Sequence, residues 1–308
     1  MAILIDYSYL AIHAILSSQF NFKKTSTQQF NFKKNSIHQN LMSIGRHAIL
    51  TAIRNHKTNF KDYGPEVIIA VDSNKGYWRS KVFPYYKGAR KKQRTDSDLD
   101  WPTIFSIIDT IKAELIEVFP YKVLQIDEAE GDDIIAVMTK WLYNNNVSDK
   151  GFFDEPKPIL IISNDKDFKQ LQVFRNVRQW SITTKAFITA DINILNTHIA
   201  QGDSKDGIPN VLSEDDVIIT EGKRQSRMSK NRLQEFTEKG RDACINDIEL
   251  RNWDRNNTLI NFSKIPEPLE QEIIEAYLNC NPQRDLSRIM DYLIHNKAAL
   301  FLETIEEF

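Results

Sequence analysis

Glu130, Asp132 and Asp133 fall within four residues, where an apolar run at 121–126 gives way to the helical spacing of Ile134, Ile135, Met138 and Leu142. Carboxylates this close repel one another unless positive charge stands among them, and a helix N-terminus supplies part of that charge through its unpaired N–H groups. Taken alone, the triplet reads equally as the acidic first turn of a surface helix. The chain, however, delivers further acids in the same way. Asp6 ends the apolar run 2–5, Asp72 ends 67–71, and Asp165 and Asp167 follow 159–162. Asp203 and Asp206 come three apart in Gly-Asp-Ser-Lys-Asp. One strand-end aspartate is ordinarily a turn or cap residue; acids after four separate strands are hard to explain without a cation. Nine carboxylates in an empty cleft would force several to keep protons. Hard oxygen ligands with no His or Cys nearby select Mg²⁺ or Mn²⁺ over zinc. Two such ions roughly 3.5–4 Å apart activate a water and stabilise both oxygens of an in-line phosphoryl displacement.

A cleft this acidic repels a polyanion, so phosphodiester chemistry also requires basic residues close by. Residues 87–94 carry Lys87, Arg90, Lys91, Lys92 and Arg94, approached by Tyr77, Trp78, Phe83, Tyr85 and Tyr86. Basic and aromatic residues together favour a nucleic-acid contact over a merely solvated charge run, because rings stack on bases and cations meet phosphate. A second basic run at 221–241 contains Lys223, Arg224, Arg227, Lys230, Arg232, Lys239 and Arg241, and reads equally as a solvated helix–turn–helix surface. The hexapeptide Gln-Phe-Asn-Phe-Lys-Lys stands at 19–24 and again at 29–34. It is either an aromatic and basic contact or a tolerated loop insertion.

The elements that must position these residues follow from periodicity. Apolar runs at 2–5, 67–71, 121–126 and 159–162 read as buried strands, with helical spacing over 7–16, 38–56 and 101–119 between them. Strands alternating with helices predict an α/β fold with a mostly parallel sheet covered on both faces, whose ligands bind beyond the carboxyl ends of the strands. Past 195 the strand signal fades and a helical region is expected, with 259–308 helical and uninformative in its chemistry. At 308 residues the chain supports one large α/β domain with an attached helical part. No apolar stretch approaches the ~20 residues needed to span a bilayer, and no signal peptide opens the chain. Cys244 and Cys280 form no CxxC pair, which argues against a zinc site or a disulfide framework and fits a reducing, cytoplasm-like interior. The net charge of −2 conceals a segregation: acids collect at strand ends, bases in two runs.

As an ordered series, Asp6; Asp72; Glu130-x-Asp132-Asp133; Asp165-x-Asp167; Gly202-Asp203-x-x-Asp206 resembles the metal-dependent 5′-nuclease (flap endonuclease) family, and most nearly its tailed-phage ribonuclease H branch. The phrases at 71–79, Tyr86-Lys87-Gly88-x-Arg90 and Ile161-Ile162-Ser163-x-Asp165-x-Asp167-Phe168 fit in order, and the resemblance runs from about 3 to 241. It implies a PIN-like 5′-nuclease core at 1–195 with a helical arch at about 77–100, and a helical DNA-binding region at 196–308 with a helix–three-turn–helix element. It implies one metal site from Asp6, Asp72, Glu130, Asp132 and Asp165, and another from Asp167, Asp203 and Asp206, which Asp133 reaches through water. By the same resemblance Arg79 and Lys87 face the scissile phosphate. Arg90, Lys91, Lys92 and Arg94 line the strand passage, and Lys223, Arg224, Arg227 and Lys230 rebuild the duplex grip. Cellular members show Asn-Ile-Pro-Gly where this chain has Gly207-Ile208-Pro209-Asn210, and their glycine-rich, potassium-associated hairpin is absent; 212–221 is acidic and apolar instead.

The expectation is therefore a two-ion, Mg²⁺-dependent nuclease, with Mn²⁺ as substitute. It would remove RNA primers and 5′ flaps from DNA during replication, as a monomer in the cytoplasm, the host's if the chain is phage-encoded. Its substrates would be DNA and RNA–DNA hybrids with free 5′ ends, and a single-strand-binding protein or sliding clamp is the expected class of partner. Two alternatives stay open: a single-strand ribonuclease of the related PIN type, which would need fewer acids and no extended helical part, and a non-catalytic junction-binding protein.

Overall fold

The computed structural model describes residues 1–25, 41–147, 157–191 and 193–308. In chain order its elements begin with β1 (Ala2–Asp6), α1 (Tyr7–Thr25), α2 (Leu41–Asn59) and β2 (Glu66–Val71). Two short helices follow, α3 (Trp78–Val82) and α4 (Arg90–Thr95), then α5 (Trp101–Val118), β3 (Lys122–Gln125), α6 (Gly131–Val147) and β4 (Ile159–Ile162). A 3₁₀ segment (Lys166–Val173) leads to β5 (Val177–Ser181), β6 (Ala186–Ile188) and α7 (Ile194–Gln201). The remaining α-helices are α8 (Lys230–Lys239), α9 (Asp247–Ile260), α10 (Glu267–Asn279) and α11 (Leu286–His295). The second hexapeptide copy lies outside the described residues.

The sheet runs β3-β2-β1-β4-β5-β6, parallel from β3 to β5 and closed by antiparallel β6. Strand side chains alternate between faces, and here both faces are apolar. Ile3, Ile5, Val67, Ile69, Leu160 and Ile162 pack on one side with Leu10 and Ile15 of α1, Ile49 of α2 and Ile111 of α5. Ala2, Leu4, Ile68, Ala70, Ile159 and Ile161 pack on the other with Ile134, Ile135 and Met138 of α6. Burial on both faces is the physical reason the parallel strands read as unbroken apolar runs. β5 and β6 were not expected: Val177-Arg178-Gln179-Trp180-Ser181 mixes polar residues into a strand near the sheet margin, so its apolar pattern is weak.

Helix starts follow local chemistry. Asp100 caps α5 by accepting from the Thr103 N–H, with Pro102 in the first turn, and Asn246 caps α9 by accepting from Glu249 N–H. The expected 195/196 division falls inside the first turn of α7, and the chain beyond it returns to both faces of the sheet. Leu269, Ile273 and Tyr277 of α10 join the α6 side, while Ile289 and Leu293 of α11 and Phe301 join the α1 side. A third apolar cluster ties Phe83 and Tyr86 to Ile199, Ile208, Phe236 and Trp253, so the segment after α3 rests on α7 to α9. Among the described residues no helix is long and apolar enough to cross a membrane.

Because Phe301 is fully buried against His47 and Phe308, Phe301→Ala should destabilise the whole fold by about 3–5 kcal/mol. Urea unfolding followed by circular dichroism checks this. A variant with an unchanged midpoint would mean that the C-terminal segment is not part of the core.

Candidate active site

The carboxyl edge of the four adjacent strands β3, β2, β1 and β4 carries the expected acids. Asp6 leaves β1 with one oxygen accepting from Tyr9 N–H (3.1 Å) and the other from the Ser163 hydroxyl (2.9 Å). The Ser163 hydroxyl also accepts from Asp165 N–H, so one side chain joins the ends of β1 and β4. Asp72 accepts from the Ser8 hydroxyl (2.9 Å) and from Gly131 N–H (2.8 Å), which sets the N-terminus of α6 against the end of β2. Asp165 caps the following 3₁₀ segment by accepting from Asp167 N–H (2.9 Å).

Crowding shows in the protonation of these groups. Burial, then Asp72, pushes Asp6 up to about 7. Burial, then Asp165 and Asp6, raises Asp132 well above the usual carboxylate range, although Lys87 opposes the shift. Burial, then Asp165, Asp203 and Asp206, raises Asp167 likewise. Such a cluster favours cation binding, since a divalent ion relieves desolvation and repulsion together.

Glu130 and Asp133 take a different route. Glu130 is 1% exposed and accepts from Arg79 (2.7 Å), from the Tyr86 hydroxyl (2.8 Å) and from Lys87 Nζ. Asp133 Oδ2 accepts from Trp78 Nε1 (3.1 Å), Arg79 (2.9 Å) and Glu130 N–H (3.0 Å). Two expectations change here. Arg79, expected to face the scissile phosphate, is 3% exposed and stacked on Trp78, with Nε donating to Leu259 O (2.7 Å) at the end of α9. Asp133, expected to reach a metal through water, is fully buried around that guanidinium. The reason is electrostatic: two buried carboxylates need a buried counter-charge, and a guanidinium serves both at once. Lys87 lies nearer the acid edge, 3.8 Å from Asp206 and over the rings of Tyr77 and Tyr86. Burial would lower its pKa, but Glu130 and Asp206 raise it above the ordinary lysine value and hold the amine charged.

The last acids come from the loop after α7. Gly202 has φ +67°, and a Cβ there would lie 2.4 Å from the Ile208 and Pro209 carbonyl oxygens, so only glycine closes this turn. Asp203 accepts from Lys205 N–H and lies 3.1 Å from Lys166 Nζ. Burial would raise Asp203, but His198 and Lys166 hold it well below the usual carboxylate range. Asp206 accepts from Arg90 (2.5 Å) and the Tyr86 hydroxyl (3.2 Å), and its carbonyl accepts from Lys87 N–H (2.7 Å).

His198 stands among these acids without having been singled out by the sequence. In the last turn of α7 it lies between Asp167 (3.2 Å from Nδ1) and Asp203 (3.5 Å from Nε2). Its one signal in the chain is its place one helical turn before the Gly202-Asp203 corner.

The expected arch forms only short helices, α3 and α4, with turns between, and packs down on the 203–207 loop. Beside Lys87 it frames a cavity of about 640 Å³ lined by Tyr77, Arg90, Arg94, Leu99 and Trp101. Arg94 stands over the rings of Trp101 and Phe105, and Lys92 is exposed. The Lys91 side chain lies outside the described residues. In the second run Lys223 is engaged by Glu214 and Asp216 (2.8 Å each), which neutralise it, while Arg224, Arg227 and Lys230 are exposed. Helix begins only at Lys230, so the expected helical surface before it is irregular chain.

Acids at the carboxyl edge of a parallel sheet, opening onto a basic and aromatic cavity, define an α/β nuclease site. A profile described as "5'-3' exonuclease, N-terminal resolvase-like domain" matches residues 4–197, and one described as "T4 RNase H, C terminal" matches 189–308. The chain belongs to the 5′-3′ exonuclease family. It is 31% identical over 278 residues to ribonuclease H of Enterobacteria phage T4, covering 87% of each chain. Among solved structures it shares the fold of the bacteriophage T5 flap endonuclease in a pseudo-enzyme–product complex with DNA and metal ions (TM-score 0.60, 15% identity, 91% of this chain and 98% of that one). It likewise shares the fold of the zinc-bound T5 5′-exonuclease (TM-score 0.58, 15% identity, the same coverage).

Asp6 holds its proton up to about pH 7 in the fold, against an ordinary 3.8. Asp6 should therefore subtract stability from the metal-free protein as pH rises from about 5 to about 7, because the folded state must surrender a proton the unfolded state has already lost. Asp203, shifted the other way, acts only below that window, whereas burial lowers His13, His47 and His56 and gives them the opposite slope within it. The Asp6 contribution is read as a difference: in chelator the melting temperature of the wild type should fall relative to that of Asp6→Asn across the window, and millimolar Mg²⁺ or Mn²⁺ should flatten that relative fall. A wild-type profile that climbs relative to Asp6→Asn would contradict the assignment.

Proposed function

We propose that the chain is a structure-specific 5′-to-3′ nuclease that hydrolyses phosphodiester bonds with two divalent ions, Mg²⁺ or its substitute Mn²⁺, and removes RNA primers and 5′ flaps from DNA during replication. The observation that carries this reading is the convergence of acids from four adjacent strands on one edge, directly beside the basic cavity. When bound, the ions supply an activated water and stabilise charge on the displaced oxygen. Asp6, Asp72, Asp132 and Asp165 are proposed to hold one ion; Glu130, expected among them, instead accepts from Arg79, Tyr86 and Lys87. Asp167, Asp203 and Asp206 are proposed to hold the other. Asp132 is the acid with most to lose, since its raised pKa records a position among several neighbours.

Lys87 is the proposed phosphate contact: it is charged, tethered by Glu130, and stands where the acid edge meets the cavity. Arg90 and Arg94, with Lys91 and Lys92, would carry the free 5′ strand. Rings of Tyr77 and Trp101 offer stacking surfaces that every base can use. Arg224, Arg227 and Lys230 are the proposed duplex contacts, and α7 to α9 the proposed helix–three-turn–helix region of a DNA-binding part at 196–308. DNA and RNA–DNA hybrids with free 5′ ends are the proposed substrates. Replication in the host cytoplasm, action as a monomer, and a single-strand-binding protein or sliding clamp as partner extend the same reading. The PIN-type alternative needs neither the basic run at 87–94 nor α8 to α11, and no observation favours it.

End-labelled flap, nicked and RNA–DNA hybrid substrates, each with Mg²⁺ and with chelator, test the activity. Asp132→Asn separates chemistry from binding: single-turnover cleavage should fall by orders of magnitude, each tenfold being about 1.4 kcal/mol, while DNA affinity holds or tightens. Near-normal cleavage by this variant would remove Asp132 from the metal set. For the passage, Arg90→Ala with Arg94→Ala should lower the salt slope of binding by about 0.7 per lost contact on substrates with a free 5′ single strand. Equal weakening on plain duplex would show a general electrostatic surface rather than a strand passage.

A further inference from the structure

The imidazole of His198 is 6% exposed, and its Nε2 has no hydrogen-bond partner. Asp167 Oδ1 lies on the other side of the ring, 3.2 Å from Nδ1. One donor atom each from Asp167, His198 and Asp203 lie within 4.8 Å of one another. Buried polar atoms are ordinarily paired, so an unpaired Nε2 on the Asp203 side of the ring points to a group that bonds to it there.

We propose that His198 is a nitrogen ligand to a divalent ion, presenting Nε2 beside Asp203 and giving the Asp167–Asp203 position a mixed nitrogen and oxygen donor set. The inference rests on the two-ion reading and names a preference within it: this position takes Zn²⁺ or Ni²⁺ more readily than an all-carboxylate position would, because imidazole suits those ions while carboxylates alone suit Mg²⁺ and Mn²⁺. The geometry agrees. Nε2 and Asp203 Oδ2 are 3.5 Å apart, and two ligands ~2.1 Å from one tetrahedral ion stand roughly 3.4 Å from each other. The other ring nitrogen, Nδ1, faces Asp167 at 3.2 Å, the carboxylate–imidazole arrangement that orients metal-binding histidines. Lys166 Nζ, 3.1 Å from Asp203 Oδ2, is half exposed on a flexible stem and can withdraw to solvent. The competing account is a core histidine that merely bridges two carboxylates.

Electron-spin-echo spectroscopy of the full chain loaded with Mn²⁺, without DNA, decides between them. Directly coordinated imidazole imprints ¹⁴N modulation on the Mn²⁺ signal, and that modulation is expected in the wild type. In His198→Gln it should vanish while Mn²⁺ still binds, with Zn²⁺ affinity at this position falling about tenfold or more and Mg²⁺ affinity changing by less than about twofold. The wild-type spectrum carries the decisive result even if the variant folds poorly. Bound Mn²⁺ with no nitrogen modulation in the wild type would overturn the ligand assignment and leave the two-ion reading standing. Failure of the wild type to bind Mn²⁺ at all would overturn both.

Discussion

Mutual repulsion among carboxylates gathered at one edge of a sheet is the constraint to which the rest of this molecule answers. Three devices meet it. Neutral donors hold some acids in place: the hydroxyls of Ser8 and Ser163 and the N–H of Gly131 each commit to one oxygen without adding charge. Buried cations neutralise others, as Arg79 does for Glu130 and Asp133. The remainder, Asp6, Asp132 and Asp167, carry the imbalance as raised pKa values. These three are the groups for which a bound cation would make the largest electrostatic difference.

Arg79 also decides geometry. Its guanidinium joins α3 to the start of α6 and, through Leu259 O, to the end of α9. Carbonyls at a helix C-terminus carry partial negative charge and suit a cation there. A buried ion pair of this kind is weak evidence of net stability, but losing one partner is costly. Its structural effect is to anchor the base of the segment that carries Lys87 and Arg90. Gly207, with φ +76° and Tyr85 O only 2.6 Å from where a Cβ would stand, lets the same segment close on Asp206. Basic residues thus reach the acid edge on short, braced elements and not on a free loop.

Much of this was legible in the sequence, and the reason is physical. Parallel strands buried on both faces leave unmistakable apolar runs, and Asp6, Asp72 and Asp165 follow such runs directly. What stayed hidden depended on tertiary partners. Arg79 and Lys87 look alike as cations in the chain, and only packing shows that one is sealed under Trp78 while the other borders the cavity. Asp132 and Asp133 are neighbours, yet one helical step of about 100° sends the first toward the acids and the second into the core. β5 and β6 lacked a clear pattern because polar Gln179 is buried for its hydrogen bonds to Ser163 O and Asp165 O. His198 needed the corner at Gly202 to bring it against Asp203.

The strand order has one more consequence, for the time course of synthesis. β1 lies at the sheet's centre and pairs on one side with β4, Ile5 against Ile162. Pairings so distant in sequence form slowly, because a long loop must close before any contact rewards it. A nascent chain on the ribosome therefore holds Asp6 and Asp72 long before Asp165, Asp167 and Asp203 exist to join them. Until β4 inserts, the acids remain scattered and the chain has no concerted hold on an ion. Assembly of the site is in this sense the late event of folding, and an incomplete chain beside its own messenger RNA would not carry the finished cluster.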